Sequence, residues 1–288
     1  MFQRYIANFG SHLKVDAKFG VGFASLGQFF KTKQLAVNVI SLAPGGQISL
    51  PLKEDLLEGF SYIISGHPTI GIDTQSHRLS PGHAVGFSGE SGISPSFFND
   101  GSENAVIISI GESINEKADL KKPEPKKPKI IYTPELANRK SYSYPGDTET
   151  FAEGVRLSDP LGLQMIGIHH DVLPPGKRSS WPHAESQEEE YCFVLKGQPT
   201  IWINGYLMAA APGDLIYFEP GTNLAHTVMN ESADPVEYLG FGLSAKACLN
   251  NLIHYPFHAL RNEQCRARGD YWEGRPPTEM GPHDGRPK

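Results

Sequence analysis

Two histidines and two glutamates in the second half of the chain have the types and spacing to do chemistry: His183, Glu185, Glu190 and His226. In a strand, His183 and Glu185 stand at i and i+2, so both side chains point to one face. Glu190 lies an odd number of residues beyond Glu185 and rejoins that face only if a turn or bulge falls within residues 186–189. His226 must then arrive from a neighbouring strand. Two imidazoles and two carboxylates converging inside a barrel make a divalent-metal site with nitrogen and oxygen donors and no sulfur. The competing readings are a solvated acidic turn over residues 187–190 and a His226 satisfied by ordinary hydrogen bonds.

The elements that must position these residues are legible through an internal repeat. Displaced by 131 positions, residues 44–111 align with 175–242 without a gap, and 16 of the 68 positions are identical. The identities fall where backbone geometry is restrictive: Pro44 and Gly45 on Pro175 and Gly176, Gly66 on Gly197, Pro81 and Gly82 on Pro212 and Gly213. Glycine and proline each mark a constrained φ, so a shared register through several turns indicates two copies of one module. Within each copy, short runs rich in aromatic and β-branched residues alternate with Gly, Pro and Asn, the pattern of an antiparallel all-β barrel or sandwich.

The copies are unequal. At the positions of His183, Glu185, Glu190 and His226 the first copy carries Leu52, Glu54, Gly59 and Pro95. Neither imidazole survives, so the first module is expected to be structural and the second to hold the chemistry. The expected organisation is a degenerate barrel with an N-terminal arm over residues 1–112, a Pro/Lys-rich linker over 113–149, a metal-type barrel over 150–243 and a tail over 244–288. Tail residues His254, Tyr255 and His258 read as structural, Cys192 as a small buried hydrophobe sharing the face of Glu190, and Trp181 as either a core residue or part of the mouth.

Composition narrows the function classes. The chain has 288 residues and a formal charge of -6, which argues against a nucleic-acid partner. Its 30 glycines and 23 prolines suit a fold of many turns. No apolar run is long enough to span a membrane. The first 15 residues lack acids, yet they read as an arm or strand rather than a targeting segment. Three cysteines, with no CxxC pair, point to a reducing, cytoplasmic setting.

Residues 176–197 and 213–230 resemble the two signature motifs of the cupin superfamily, and the resemblance covers both repeats, as in a bicupin. The chain is most similar to cupin proteins whose first motif reads PHAxSxEEE and which end near GPHDG; here the segments are PHAESQEEE and residues 281–285. The resemblance implies two jelly-roll barrels and one divalent ion (Fe, Mn, Zn or Ni) held by His183, Glu190 and His226. The family's second histidine is Glu185 here, the first spacing is longer by one, Glu219 holds the usual proline position, and two extra residues precede His226. Glu185 is therefore either a fourth ligand or a general base. A metal-dependent enzyme of dioxygenase, isomerase or lyase type acting on a small polar molecule is the favoured function. The alternative is a non-catalytic, small-ligand-binding or regulatory cupin. Pairing into a homodimer is also expected.

Overall fold

The structure is a computed structural model and describes residues 2–50, 57–88, 95–112, 127–136 and 139–288. Two compact units divide the chain. One comprises Ala7–Ala137 with Arg156–Gly167, the other Met1–Ile6, Asn138–Val155 and Ile168–Lys288. The repeat reappears strand by strand at the same displacement of 131 residues. Leu35–Leu42 answers to Ile166–Leu173, Thr69–Ile72 to Thr200–Ile203, Gln75–Arg78 to Tyr206–Ala209 and Ala105–Glu112 to Val236–Leu243.

The constrained residues explain why the register holds. Gly45 and Gly176 have φ of 80° and 72°, Gly66 and Gly197 of 74° and 84°, and Gly82 and Gly213 of 95° and 89°. These left-handed turns favour glycine, so each copy must bend at the same places. A matching asparagine locks each roll. Asn99 Nδ2 donates to the carbonyls of Leu42 and Glu103 at 2.8 and 2.7 Å, and Asn230 Nδ2 to those of Leu173 and Asp234 at 2.8 Å each.

In the first unit one antiparallel sheet runs Lys129–Tyr132, His83–Ser88, Glu58–Ser65, Ala105–Glu112, Leu35–Leu42, Val21–Ser25 and Lys14–Asp16, and a second runs Gln47–Ser49, Ser96–Phe98, Thr69–Ile72 and Gln75–Arg78. Between them lies an apolar core that includes Ile40, Ile63, Ile70, Phe87, Phe97 and Ile107. The position matching Glu190 is closed: a Cβ built on Gly59 would sit 2.2 Å from the Phe87 ring. Leu52 and Glu54 lie outside the described residues.

The second unit repeats the plan, with Asp214–Phe218, Glu190–Lys196, Val236–Leu243, Ile166–Leu173, Glu153–Arg156 and Lys140–Ser141 in one sheet and Tyr206–Ala209, Thr200–Ile203 and His226–Met229 in another. The fold is all-β and of the two-barrel type expected. The N-terminal residues up to Ile6 and the whole tail group with the second barrel, while residues 156–167 group with the first. Most of the basic, proline-rich run lies outside the described residues, but Lys129–Tyr132 is a strand paired with His83–Ser88 rather than linker.

Candidate metal centre

The second barrel brings the two histidines together by strand pairing. His183 and His226 are bridged antiparallel, with His226 N donating to the His183 carbonyl at 2.9 Å. The backbone then turns through residues 186–189, as the odd spacing requires, and Glu190 opens the strand Glu190–Lys196 on the neighbouring sheet. His226 Nε2 lies 2.6 Å and His183 Nε2 3.4 Å from the same oxygen, Glu190 Oε2.

The remaining ring nitrogens are anchored. His183 Nδ1 donates to the Trp181 carbonyl at 2.9 Å, and His226 bonds the Leu224 backbone. Anchoring one imidazole nitrogen fixes the tautomer and aims the other. Phe218 stacks on His226 at 3.9 Å with an interplanar angle of 7°, and Tyr255 stacks on His183 at 5.6 Å.

Glu185 sits in the short pair of Ala184–Glu185 with Ile253–His254 and meets Glu190 in a second group with Glu188. In each of the two groups, His183–Glu190–His226 and Glu185–Glu188–Glu190, donor atoms lie within 4.8 Å of one another. Glu190 belongs to both. Glu185 is buried, and its Oε2 has no hydrogen-bond partner among the described residues.

Electrostatics follow from this crowding. Burial alone would lower His183, yet the Glu190 charge and hydrogen bond carry it above the ordinary imidazole value. For His226 burial wins and the ring is held low. Burial opposes ionisation of Glu190, but His183 and His226 hold it well below the usual carboxylate range. Glu185 is pushed well up by burial and by Glu190 and Glu188, and Glu188 is pushed up to about 8 by burial and Glu190. A Glu190 carboxylate held low by two imidazoles, beside carboxyls that burial and Glu190 push up, is a site that added positive charge would stabilise.

The donor set passes the test of fit. Two imidazole nitrogens converging on a carboxylate, with a second buried carboxyl unsatisfied beside them, suit a divalent ion of borderline or hard character. Sequence reasoning missed three contributors. Glu188 was hidden in what read as an acidic turn. Tyr255, read as a structural tail residue, stacks on His183, and Asn251 holds the turn, accepting from the amides of Gln187 and Glu188 at 3.1 and 3.3 Å. Cys192 is buried, with its thiol pushed well up by burial and by Asp171. Trp181 donates to Asp147 Oδ2 at 2.5 Å and meets His258 edge-on.

With this geometry in hand, the comparisons decide the kind of domain. Residues 169–242 match the cupin domain. The matched stretch includes His183, Glu185, Glu190 and His226. No curated protein matches the sequence. Among solved structures, a Pseudomonas aeruginosa protein provisionally called glyoxylate-induced is similar at a TM-score of 0.66 and 15% identity, covering 85% of this chain and 91% of that one. The Lactobacillus farciminis oxalate decarboxylase, in complex with formate, is similar at 0.56 and 12%, covering 83% and 85%. A Bacillus subtilis oxalate decarboxylase structure described for its Mn(II) centres gives 0.54 and 13%, covering 82% and 76%. At such identities the likeness is one of cupin fold.

Proposed function

We propose that the second cupin barrel is a metal-dependent enzyme site for a small polar molecule. The observation that carries this reading is the convergence of His183 Nε2 and His226 Nε2 on one Glu190 oxygen, with the unpartnered Glu185 Oε2 buried beside the group. His183, Glu190 and His226 would hold one divalent ion, with Glu185 as fourth ligand or base. When bound, the ion supplies Lewis acidity and open coordination positions for substrate. The chain's own residues do the rest. The Trp181 and Leu224 backbone groups hold the imidazoles in place, Phe218 and Tyr255 cover their faces, and Glu185 keeps an unpartnered carboxyl oxygen beside them.

Elemental analysis of full-length protein purified without chelator tests the centre. One divalent ion per chain is expected, with loss in His226→Ala. Equal metal in parent and His226→Ala would place the ion elsewhere. For the reaction, oxygen uptake and product formation are to be screened with small carboxylates, catechols and sugar acids under Fe(II), Mn(II), Zn(II) and Ni(II). Two of the similar folds are oxalate decarboxylases and one is described for Mn(II), so Mn(II) with small carboxylates is the first arm of the screen. Turnover abolished in Glu185→Gln with metal retained would establish the base. Tight binding without turnover under every metal would leave a binding module instead.

Two further readings belong here. Cys192, Cys248 and Cys265 are all unpaired, which supports a reducing, cytoplasmic setting. A homodimer is the expected assembly, and light scattering that returns the monomer mass of 31.6 kDa at high concentration would reject it.

A further inference from the structure

The tail sets one cation without a paired carboxylate against two tyrosines, one of which stacks on His183. Arg261 Cζ lies 4.8 Å from the Tyr144 ring centroid and 5.7 Å from that of Tyr255, whose ring stacks on His183 at 5.6 Å. Tyr144 meets Tyr255 edge-on at 5.8 Å between ring centroids, so both phenols and the guanidinium lie together. Arg261 gives one further bond to Gln264 Oε1 at 3.0 Å. Its Nε is buried with no partner, and no carboxylate pairs with it among the described residues. Three other arginines of this unit pair with carboxylates: Arg178 with Glu149, Arg266 with Glu273 and Arg268 with Asp270.

The position is built rather than accidental. Asn262 exchanges hydrogen bonds with the Tyr255 backbone at 2.9 and 2.8 Å, and His258 Nδ1 accepts from Arg261 N at 3.3 Å. These bonds tie the start of the helix Ala259–Arg268 to the residue that stacks on His183. A buried guanidinium N–H without a partner costs desolvation, and the planar fork it belongs to fits a carboxylate.

We propose that Arg261, aided by the hydroxyls of Tyr144 and Tyr255, binds a carboxylate of the substrate beside the His183–Glu190–His226 group, so that the substrate class is a small carboxylic acid. This inference rests on reading that group as the site of small-molecule chemistry. Arg261 is the specificity-determining residue, presented by the tail rather than by the barrel.

Titration calorimetry of the full-length protein with malonate, against its neutral isostere malonamide, tests it. Malonate should bind, malonamide should bind at least about tenfold more weakly, and Arg261→Gln should weaken malonate by a similar factor with metal content and melting temperature unchanged. Arg261→Lys, which keeps the charge but not the fork, should fall between. The inference is overturned by no malonate binding, by equal affinity for malonamide, or by an Arg261→Gln protein that binds malonate as the parent does. Should Arg261→Gln fail to fold, the malonate to malonamide ratio in the parent and Arg261→Lys still decides. Elemental analysis of the same samples separates the two readings. Arg261-dependent malonate binding without metal removes the enzyme and keeps this inference, whereas metal with Arg261-independent binding does the reverse.

Discussion

Glu190 is the residue on which the centre turns, because one of its oxygens faces two imidazole nitrogens and its carboxyl meets two further acids. A metal must displace the protons that this crowding retains. Against the pull of burial, Glu190 carries His183 above the ordinary imidazole value, and Glu185 and Glu188 are pushed up by burial and by Glu190. Metal binding should therefore release protons near neutrality, and affinity should fall as pH drops through the histidine range. Calorimetry in buffers of different ionisation enthalpy reads the proton count, and a count of zero would reject this account. Asp171 gives a separate residue-scale prediction. Burial lifts its carboxyl to about 7, against weaker pulls from Tyr238 and Arg139, and its Oδ1 has no partner among the described residues. A raised folded pKa favours the folded state below the unfolded value of 3.8, and that contribution is lost as pH rises towards about 7. Asp171→Asn should flatten the pH dependence across this window and gain up to roughly 4 kcal/mol at pH 8 relative to the parent, read by urea unfolding at pH 4, 6 and 8.

At the scale of elements, the two copies of the strand that leads from the 58/189 position show how one sequence plan yields two interiors. Glu58 and Glu189 occupy equivalent positions and are both buried, but they have different duties. Glu58 accepts from the amides of Gln164, Met165 and Ile166, while Glu189 accepts from the hydroxyls of Tyr191 and Tyr217. One residue further on, Gly59 lies under the Phe87 ring where Glu190 reaches into the second barrel. Gly59→Glu should therefore destabilise the first unit by about 3 kcal/mol or more, from overpacking and a buried unpaired charge, without adding a metal. Denaturant unfolding with elemental analysis checks both halves of that statement. The turn over residues 186–189 is held by Asn251 from the tail, so Asn251→Ala should lower metal affinity through loss of positioning, by about 10 to 100-fold. Unchanged metal affinity in Asn251→Ala would mean that the strands alone set the Glu188 and Glu190 geometry.

For the whole molecule, a chain of two barrels with one competent interior should carry one ion, not two. The first barrel's core is apolar where the second is lined by His183, Glu190 and His226. Metal titration monitored by mass spectrometry under native conditions should saturate at one ion per chain, and a second site of equal affinity would contradict the division of labour. Among the described residues no helix is long and apolar enough to cross a membrane.

The repeat was legible because glycines with positive φ and paired prolines encode backbone geometry in residue identity alone, so a displacement of 131 residues predicts matching strands without any knowledge of packing. His183, Glu190 and His226 were legible for a similar reason, since strand alternation and one intervening turn suffice to aim them. Tertiary structure alone decided what gathers around them. Tyr144 precedes the second barrel while Tyr255 and Arg261 lie in the tail, and nothing in the local pattern marks Tyr255 as a neighbour of His183. The clearest case is a pair of identical residues. Phe87 and Phe218 share one repeat position, yet the first ring lies over Gly59 and the second stacks on His226. An identical side chain in an identical strand takes the space its neighbours leave, and that space depends on residues brought together only when the barrel closes.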